Sequence, residues 1–280
     1  MSRVAIGSAD PVPSQFSVQI LLETESMTLR DVVCRGECKH RSAEECSRTT
    51  HLVFPYRGVY VRHVGADDAV AEANQVLFFN AGESYCVSHP IEGGDASLSL
   101  SIEESLLREL VPKRHVKDGE RVAFRWQRLR IDPRAQALVA LLAHVGRTRT
   151  AEPLEIEALV LTLVRRALGE RTSHIAGASL GRQKLVDRAK IVLSSDLRRR
   201  WTLAEIGAEV GVSPVYLTQA FAQVEGVPLY RYQLRLRLAR ALDLLGECDD
   251  LTDLGLELGF SSPVMFLSRP CPLSLTFFTA

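Results

Sequence analysis

Residues 203–221 read LAEIGAEVGVSPVYLTQAF, and the spacing inside this stretch decides how the C-terminal part of the chain is read. Thr202-x-x-Glu205 just before it is a capping box, in which hydroxyl and carboxylate each take up an orphan backbone N–H. A helix therefore starts near Leu203 and runs to Val210. Gly211 supplies the positive φ of a tight turn. Ser213 caps a second helix, and Pro214 takes its first position, where a missing N–H costs nothing. Ile206 and Val210 form an inner face, Gly207 falls where the two helices cross closely, and Val212 and Leu217 fill the wedge between them. The outward positions of the second helix are Val215, Thr218 and Gln219. Such a helix fits the major groove, where Gln pairs with adenine and Val or Thr touches thymine methyl groups. An ordinary helical hairpin would share this spacing, so the surrounding charge has to be weighed.

The chain has 280 residues, with 34 Lys+Arg balanced by 34 Asp+Glu, so its overall charge says nothing about partners. Divided, it becomes informative. Residues 1–181 carry a net −1, residues 182–240 a net +6 and residues 241–280 a net −5. A basic block in a neutral chain is the footprint of a polyanion-binding region, although a solvated helix face produces the same count. The block includes the run Arg198-Arg199-Arg200.

The flanking segments are helical too. Arg182 to Leu197 places Leu185, Ala189, Val192 and Leu193 on one face. Gly226 and Pro228 separate the second helix of the motif from a long helix over Leu229–Leu245, and a short helix around Asp253–Leu258 ends at Gly259. Residues 171–181, RTSHIAGASLG, have the small polar composition of a linker.

Upstream the period changes. FSVQILLET, ESMTLRDVVC, GVYVRHV, QVLFFN, SYCVSH and ASLSLSI read as short strands, separated by turn clusters at 65–68, 80–82 and 92–95. Many short strands predict a small antiparallel barrel or sandwich. Asp132-Pro133 starts a helix bearing Leu138, Leu141, Leu142 and Val145. A second helix after Pro153 bears Leu159, Leu163 and Val164. Such a hairpin either covers the barrel or pairs with its copy in a dimer; the dimer is the reading adopted.

The string GVSPVYLTQAFAQVEGVPLYRYQLRLRLARALDLL, followed by LTDLGLELGFSS, resembles the DNA-binding domain of AraC/XylS-type transcription regulators, over about the last hundred residues. The matching residues are Leu217, Phe221, Gly226, Tyr232, Arg235, Arg237, Ala239, Leu244, Leu245 and Gly259-Phe260-Ser261-Ser262. HLVFPYRGVYVRHVG and HPIEGGD are similar to the cupin-type sensor of one subgroup. The resemblance implies two helix-turn-helix units joined by one long helix, an N-terminal sensory domain, a homodimer, and double-stranded DNA, a small-molecule effector and RNA polymerase as partners. The candidate DNA-binding residues are then Ser213, Val215, Thr218 and Gln219, with Arg198, Arg199, Arg200 and Arg235.

One part departs from that pattern. After Ser262 the family continues with a basic recognition helix, whereas this chain reads PVMFLSRPCPLSLTFFTA. Pro270 ends any helix begun at Pro263, and no charge follows it. The expectation is a truncated second unit, with Leu254 and Phe260 left exposed. The tail looks like a shifted reading frame.

Two other sets of residues need placing. Cys34, Cys38, His40 and Cys46, with His51 nearby, offer the thiolate and imidazole ligands that zinc takes. Their spacing is not a C-x-x-C pair, and unconnected reduced cysteines are the preferred reading. Metal-dependent cupin enzymes carry a His-x-His pair, a later Glu and a third His; here His63 stands alone and the later turn ends in Tyr85, so no enzyme and no cofactor are expected. His89, before Pro90, reads as structural. No segment approaches the 18 or so uncharged apolar residues of a membrane span, and the N-terminus lacks the apolar run of a signal peptide, so a cytoplasmic protein with no membrane partner is expected.

The expected fold class is α+β. It comprises a cupin-like barrel over 14–130, a dimerising hairpin over 131–170, a linker over 171–181, a helical DNA-binding domain with two helix-turn-helix units over 182–270, and an atypical tail over 271–280. The expected function is an effector-controlled, sequence-specific transcription regulator. The alternative is a DNA-incompetent member acting as a ligand-binding or dimerisation protein.

Overall fold

A computed structural model describes residues 16–36, 39–169 and 179–260. The N-terminal half is built from antiparallel strands. They are β1 (Phe16–Glu23), β2 (Met27–Cys34), β3 (Glu45–Cys46), β4 (His51–Arg57), β5 (Tyr60–Val64), β6 (Asp67–Ala71), β7 (Gln75–Phe79), β8 (Ser84–Ser88), β9 (Asp95–Ile102) and β10 (Arg128–Arg130). They form a six-stranded sheet in the order β1-β2-β9-β4-β7-β10 and a four-stranded sheet in the order β3-β8-β5-β6. A short helix, α1 (Glu104–Leu110), lies between β9 and β10.

Two strands lie where the sequence hides them. β4 sits inside the larger sheet despite Pro55, because the register shifts between Pro55 and Arg57 and a bulge relieves the ladder of the missing N–H. β6 begins at Asp67-Asp68, which reads as a turn. Asp68 instead pairs across the strand with His63, whose Nδ1 lies 2.6 Å from its carboxylate.

The hairpin consists of α2 (Pro133–Thr148) and α3 (Pro153–Leu168). Asp132 caps α2 by accepting from the Ala135 N–H at 2.9 Å, with Pro133 at the first position as expected. The apolar stripes of the two helices are consumed in part within the chain, while Leu141 and Leu154 stay exposed. Leu142, Ile156, Val160, Leu163 and Val164 are buried in one cluster with Leu29, Leu52, Phe54, Phe78 and Leu100 of the larger sheet. The assignment of Leu142 and Leu163 to a dimer contact is therefore corrected: they cover the apolar face of the sheet, together with Leu107, Val111 and Phe124.

The C-terminal half contains α4 (Leu180–Ser195), α5 (Leu203–Val210), α6 (Pro214–Glu225), α7 (Leu229–Leu244) and α8 (Leu251–Glu257). Leu185, Ala189, Leu193, Ile206, Val210, Leu217, Phe221, Tyr232 and Leu236 form its core. Leu180 and Gly181 already belong to α4, capped by Ser179, so the 171–181 linker ends earlier than expected; residues 170–178 lie outside the described residues. Leu254 and Phe260 are not exposed. They are buried with Leu258 and Ala241 against Leu234, Leu238 and Leu244, so α7 gives α8 a packing partner. The tail from Ser261 onward, on which the truncation reading rests, lies outside the described residues.

The halves meet through a polar junction. Asp187 of α4 accepts from Arg128 of β10 at 2.7 Å. Lys190, fully buried, lies 2.6 Å from Glu225 of α6 and 3.5 Å from Asp187. Tyr232 of α7 donates to Glu72, which also accepts from the Asn74 N–H at 2.7 Å. Gln136 of α2 closes the group by donating to Asn74 at 2.7 Å.

Candidate nucleic-acid interface

The unit formed by α5, a short turn and α6 is fixed by local chemistry. Thr202 and Glu205 form the capping box, and Glu205 accepts from both the backbone N–H and the hydroxyl of Thr202 at 2.8 Å. With Arg199 beside it, these hydrogen bonds hold the Glu205 carboxyl down at about 2. Gly207 is required by close approach, since a Cβ there would lie 2.7 Å from the Val212 carbonyl oxygen. Val212 returns a backbone hydrogen bond to Gly207 at 2.8 Å, so the turn folds back on the helix that precedes it. Ser213 caps α6 through the Tyr216 N–H at 3.3 Å.

This start sets the rotation of α6. Leu217, Ala220 and Phe221 are buried, while Val215, Thr218 and Gln219 face solvent, Val215 at 68% exposure. The Thr218 hydroxyl donates to the Pro214 carbonyl at 2.9 Å. Tyr216, 41% exposed, belongs to the same surface and was not among the candidate residues. Arg182 lies 5.9 Å from its ring centroid and hydrogen-bonds Gln223. The signal was present: Ser213 as cap puts position 216 in the first turn, beside the outward Val215.

The arginine run sits on a clamped loop. Asp196 accepts from the backbone N–H groups of Arg198 and Arg199 at 2.9 and 3.2 Å. From α7, Arg237 donates to the carbonyls of Leu197 and Arg199 at 2.7 and 2.9 Å, and Gln233 to Arg199 at 3.0 Å. All three arginine side chains are exposed, but Arg199 is partly committed, 2.7 Å from Glu205 and stacked 4.1 Å above Trp201. Arg235 lies elsewhere. It is half-buried on the side of α7 facing Arg130 and Asp132, and burial with the nearby Arg130 charge pulls its pKa down. The basic block is also less exposed than its count implies, since Lys190 and Arg237 are buried in fixed contacts.

In the N-terminal half, the inner face of the smaller sheet is occupied by Arg62. This buried side chain donates to the Phe78 carbonyl at 2.8 Å and to Glu83 at 2.7 Å, and lies 4.0 Å from the Phe79 ring centroid. His51 stacks on Phe79 at 4.9 Å, and burial lowers its pKa. His63 is held between Asp68 and Ser88. The thiols and imidazole weighed from the sequence as metal ligands, with unconnected cysteines preferred, lie as follows. His40 and Cys46 are exposed, and Cys38 lies outside the described residues. Cys34 instead lies with His89 and Asp95.

No family model matches the sequence, and no curated protein matches it. Solved structures are similar to it. A single-substitution variant of apo ToxT from Vibrio cholerae strain SCE256 aligns over 88% of this chain and 93% of its own at 10% identity, with a TM-score of 0.38. A transcriptional regulator of the AraC-type DNA-binding group from Chromobacterium violaceum is 32% identical over 32% of this chain and 81% of its own, with a TM-score of 0.30. A cupin-2 domain protein from Shewanella frigidimarina is 9% identical over 31% of this chain and 80% of its own, with a TM-score of 0.27. No helix among the described residues is long and apolar enough to cross a membrane.

Proposed function

We propose that this chain is a sequence-specific DNA-binding transcription regulator of AraC type, with α5 and α6 as a helix-turn-helix reader and the β-half as a cupin-like effector-binding barrel rather than an enzyme. The observation that carries the reading is the outward row Val215, Thr218 and Gln219 on a helix whose rotation is fixed by Ser213 and Leu217. These side chains match base-edge readout, and the exposed guanidinium groups of Arg198 and Arg200 on a backbone clamped by Arg237 match phosphate contacts. Effector binding in the barrel acts through the junction of Arg128, Asp187, Lys190 and Glu225 and would shift how the barrel and hairpin orient two DNA-binding halves of a homodimer. RNA polymerase is the expected downstream partner.

A second reading, a DNA-incompetent ligand-binding or dimerisation protein, is favoured by α8. Asp249, Asp250, Asp253 and Glu257 are exposed on and before it, so the would-be second unit presents negative charge to a polyanion. Binding of the full-length chain to a panel of duplexes, measured against salt, separates the two. Log affinity falling steeply with log salt, together with a sequence preference, supports the regulator. Weak binding that ignores sequence supports the second reading.

A further inference from the structure

The end of β2, the loop after β8 and the start of β9 bring three different ligand types to one place. Cys34 and Asp95 are directly opposite each other in the β2–β9 pairing. His89 reaches the same spot from the segment following the smaller sheet, with Nε2 2.8 Å from Asp95 Oδ2. One donor atom each from Cys34, His89 and Asp95 lies within 4.8 Å of the other two. His89 and Asp95 are both more than nine-tenths buried. The second imidazole nitrogen, Nδ1, is buried with no hydrogen-bond partner among the described residues.

The backbone around the three is tightly drawn. Gly94 has φ +70°, and a Cβ there would lie 2.2 Å from the Cys34 carbonyl oxygen. A Cβ on Gly36 would lie 2.7 Å from the Gly94 Cα and 3.6 Å from the His89 ring. Only glycine lets these segments converge, so the convergence is built into the chain rather than left to side-chain rotamers.

We propose that Cys34, His89 and Asp95 form a binding site for a divalent transition-metal ion of the zinc class. A thiolate, a neutral imidazole and a carboxylate carry two negative charges, so a dication makes the buried cluster electroneutral. The donor set is too soft for magnesium or calcium and suits zinc or cobalt. Donors of one tetrahedral ion lie roughly 3–4 Å apart, so closing the cluster onto a metal needs shifts of about an ångström. Three protein donors leave a fourth position for water or another ligand. The ion would tie the larger sheet to the segment leaving the smaller one. The site also lies near a second contact between the halves: Gly58 packs on Gly94 and Asp95, and its neighbour Arg57 reaches Asp243 of α7 at 3.9 Å. The assignment rests on these residues alone and not on the DNA-binding reading.

The test is cobalt titration of reduced, chelator-treated full-length protein, followed by optical absorption. One equivalent of Co²⁺ should produce a thiolate-to-cobalt charge-transfer band that Zn²⁺ abolishes. Cys34→Ser should lose the band, and His89→Ala should weaken binding about tenfold or more. Cys46→Ser, at an exposed thiol outside the cluster, should keep both. Zn²⁺ should also raise the thermal midpoint of the parent protein but not that of Cys34→Ser. Absence of the band in the parent, or its survival in Cys34→Ser, overturns the site. If Cys34→Ser does not fold, Asp95→Asn supplies the comparison, and unchanged cobalt affinity in it overturns the site equally.

Discussion

Arg128 of β10 and Asp187 of α4 form an ion pair at 2.7 Å, and through it the sheet half and the helical half share one polar junction. Asp187 also lies 3.5 Å from Lys190, which has no exposed surface. Removing one member of a buried pair costs more than the pair contributes, because the remaining charge is left desolvated.

Asp187→Ala should therefore destabilise the chain by about 3 kcal/mol, near the lower end of the range for buried pairs because Glu225 still faces Lys190. Chemical denaturation followed by circular dichroism measures it. A loss under about 1 kcal/mol would mean that the junction is solvated and does not hold the halves together.

Glu72 gives the junction a pH dependence. Burial raises its carboxyl above the ordinary range, against the opposing pull of Lys190 and of the Tyr232 hydroxyl. A raised native pKa means that the folded chain holds this proton more tightly than the unfolded chain. Its contribution is fully present below the ordinary carboxylate pKa and is lost as pH rises through the raised value. Glu72→Gln does not titrate. The stability of the variant relative to the parent should shift in its favour as pH rises from about 4. Denaturation midpoints of both proteins across the pH range check this, and a flat difference refutes it.

Much of the helical half was legible in the sequence because its signals are local. Thr202, Glu205, Gly211, Ser213 and Pro214 each act on the backbone within four residues, and the structure uses each as read. The sheet half was less legible where non-local pairing overrides local cues. Pro55 and the Asp67-Asp68 pair look like breaks until β9 and β5 supply their partners. The Cys34, His89 and Asp95 cluster could not be read at all, since Cys34 and His89 are far apart in the chain; the β2–β9 pairing sets Cys34 opposite Asp95, and His89 reaches Asp95 by its side chain. The hairpin was read correctly as two amphipathic helices, but periodicity gives the width of an apolar face and not the identity of what covers it.

Leu163→Glu tests that last point. Leu163 has no exposed surface and sits among Val160, Val164 and the sheet residues. An unpaired charge there should cost about 4 kcal/mol or more and unfold the N-terminal half, rather than release a folded monomer. Sedimentation combined with near-ultraviolet circular dichroism distinguishes the outcomes. A folded monomeric variant would put Leu163 in an intermolecular contact after all.

Gly207→Ala pits propensity against space. Alanine gains about 1 kcal/mol in a helix interior. Its Cβ, however, meets a backbone carbonyl at 2.7 Å, and that atom belongs to the turn that sets α6. Overpacking of this kind costs about 1–3 kcal/mol, so the variant should come out neutral to destabilised by up to about 2 kcal/mol, with DNA affinity falling more than stability. A variant more stable than the parent with unchanged DNA binding would show that the turn has slack.

Gln219 and Arg200 should fail differently. Gln219 is exposed on α6, one turn beyond Val215 and next to Thr218, and in a major groove its amide presents a donor and an acceptor to adenine. Gln219→Ala should cost about 1–3 kcal/mol on a preferred duplex and little on random DNA, which relaxes preference at particular bases. Arg200 follows the Leu197 and Arg199 carbonyls that Arg237 and Gln233 clamp, so its backbone is held while its side chain stays exposed for a phosphate contact. Arg200→Ala should weaken binding evenly across sequences and lower the salt slope by about 1. Titrations of both variants on preferred and scrambled duplexes at several salt concentrations separate the two. Equal losses on both duplexes for Gln219→Ala would remove α6 as the reading helix, since an outward glutamine that does not distinguish sequences is only part of a solvated face.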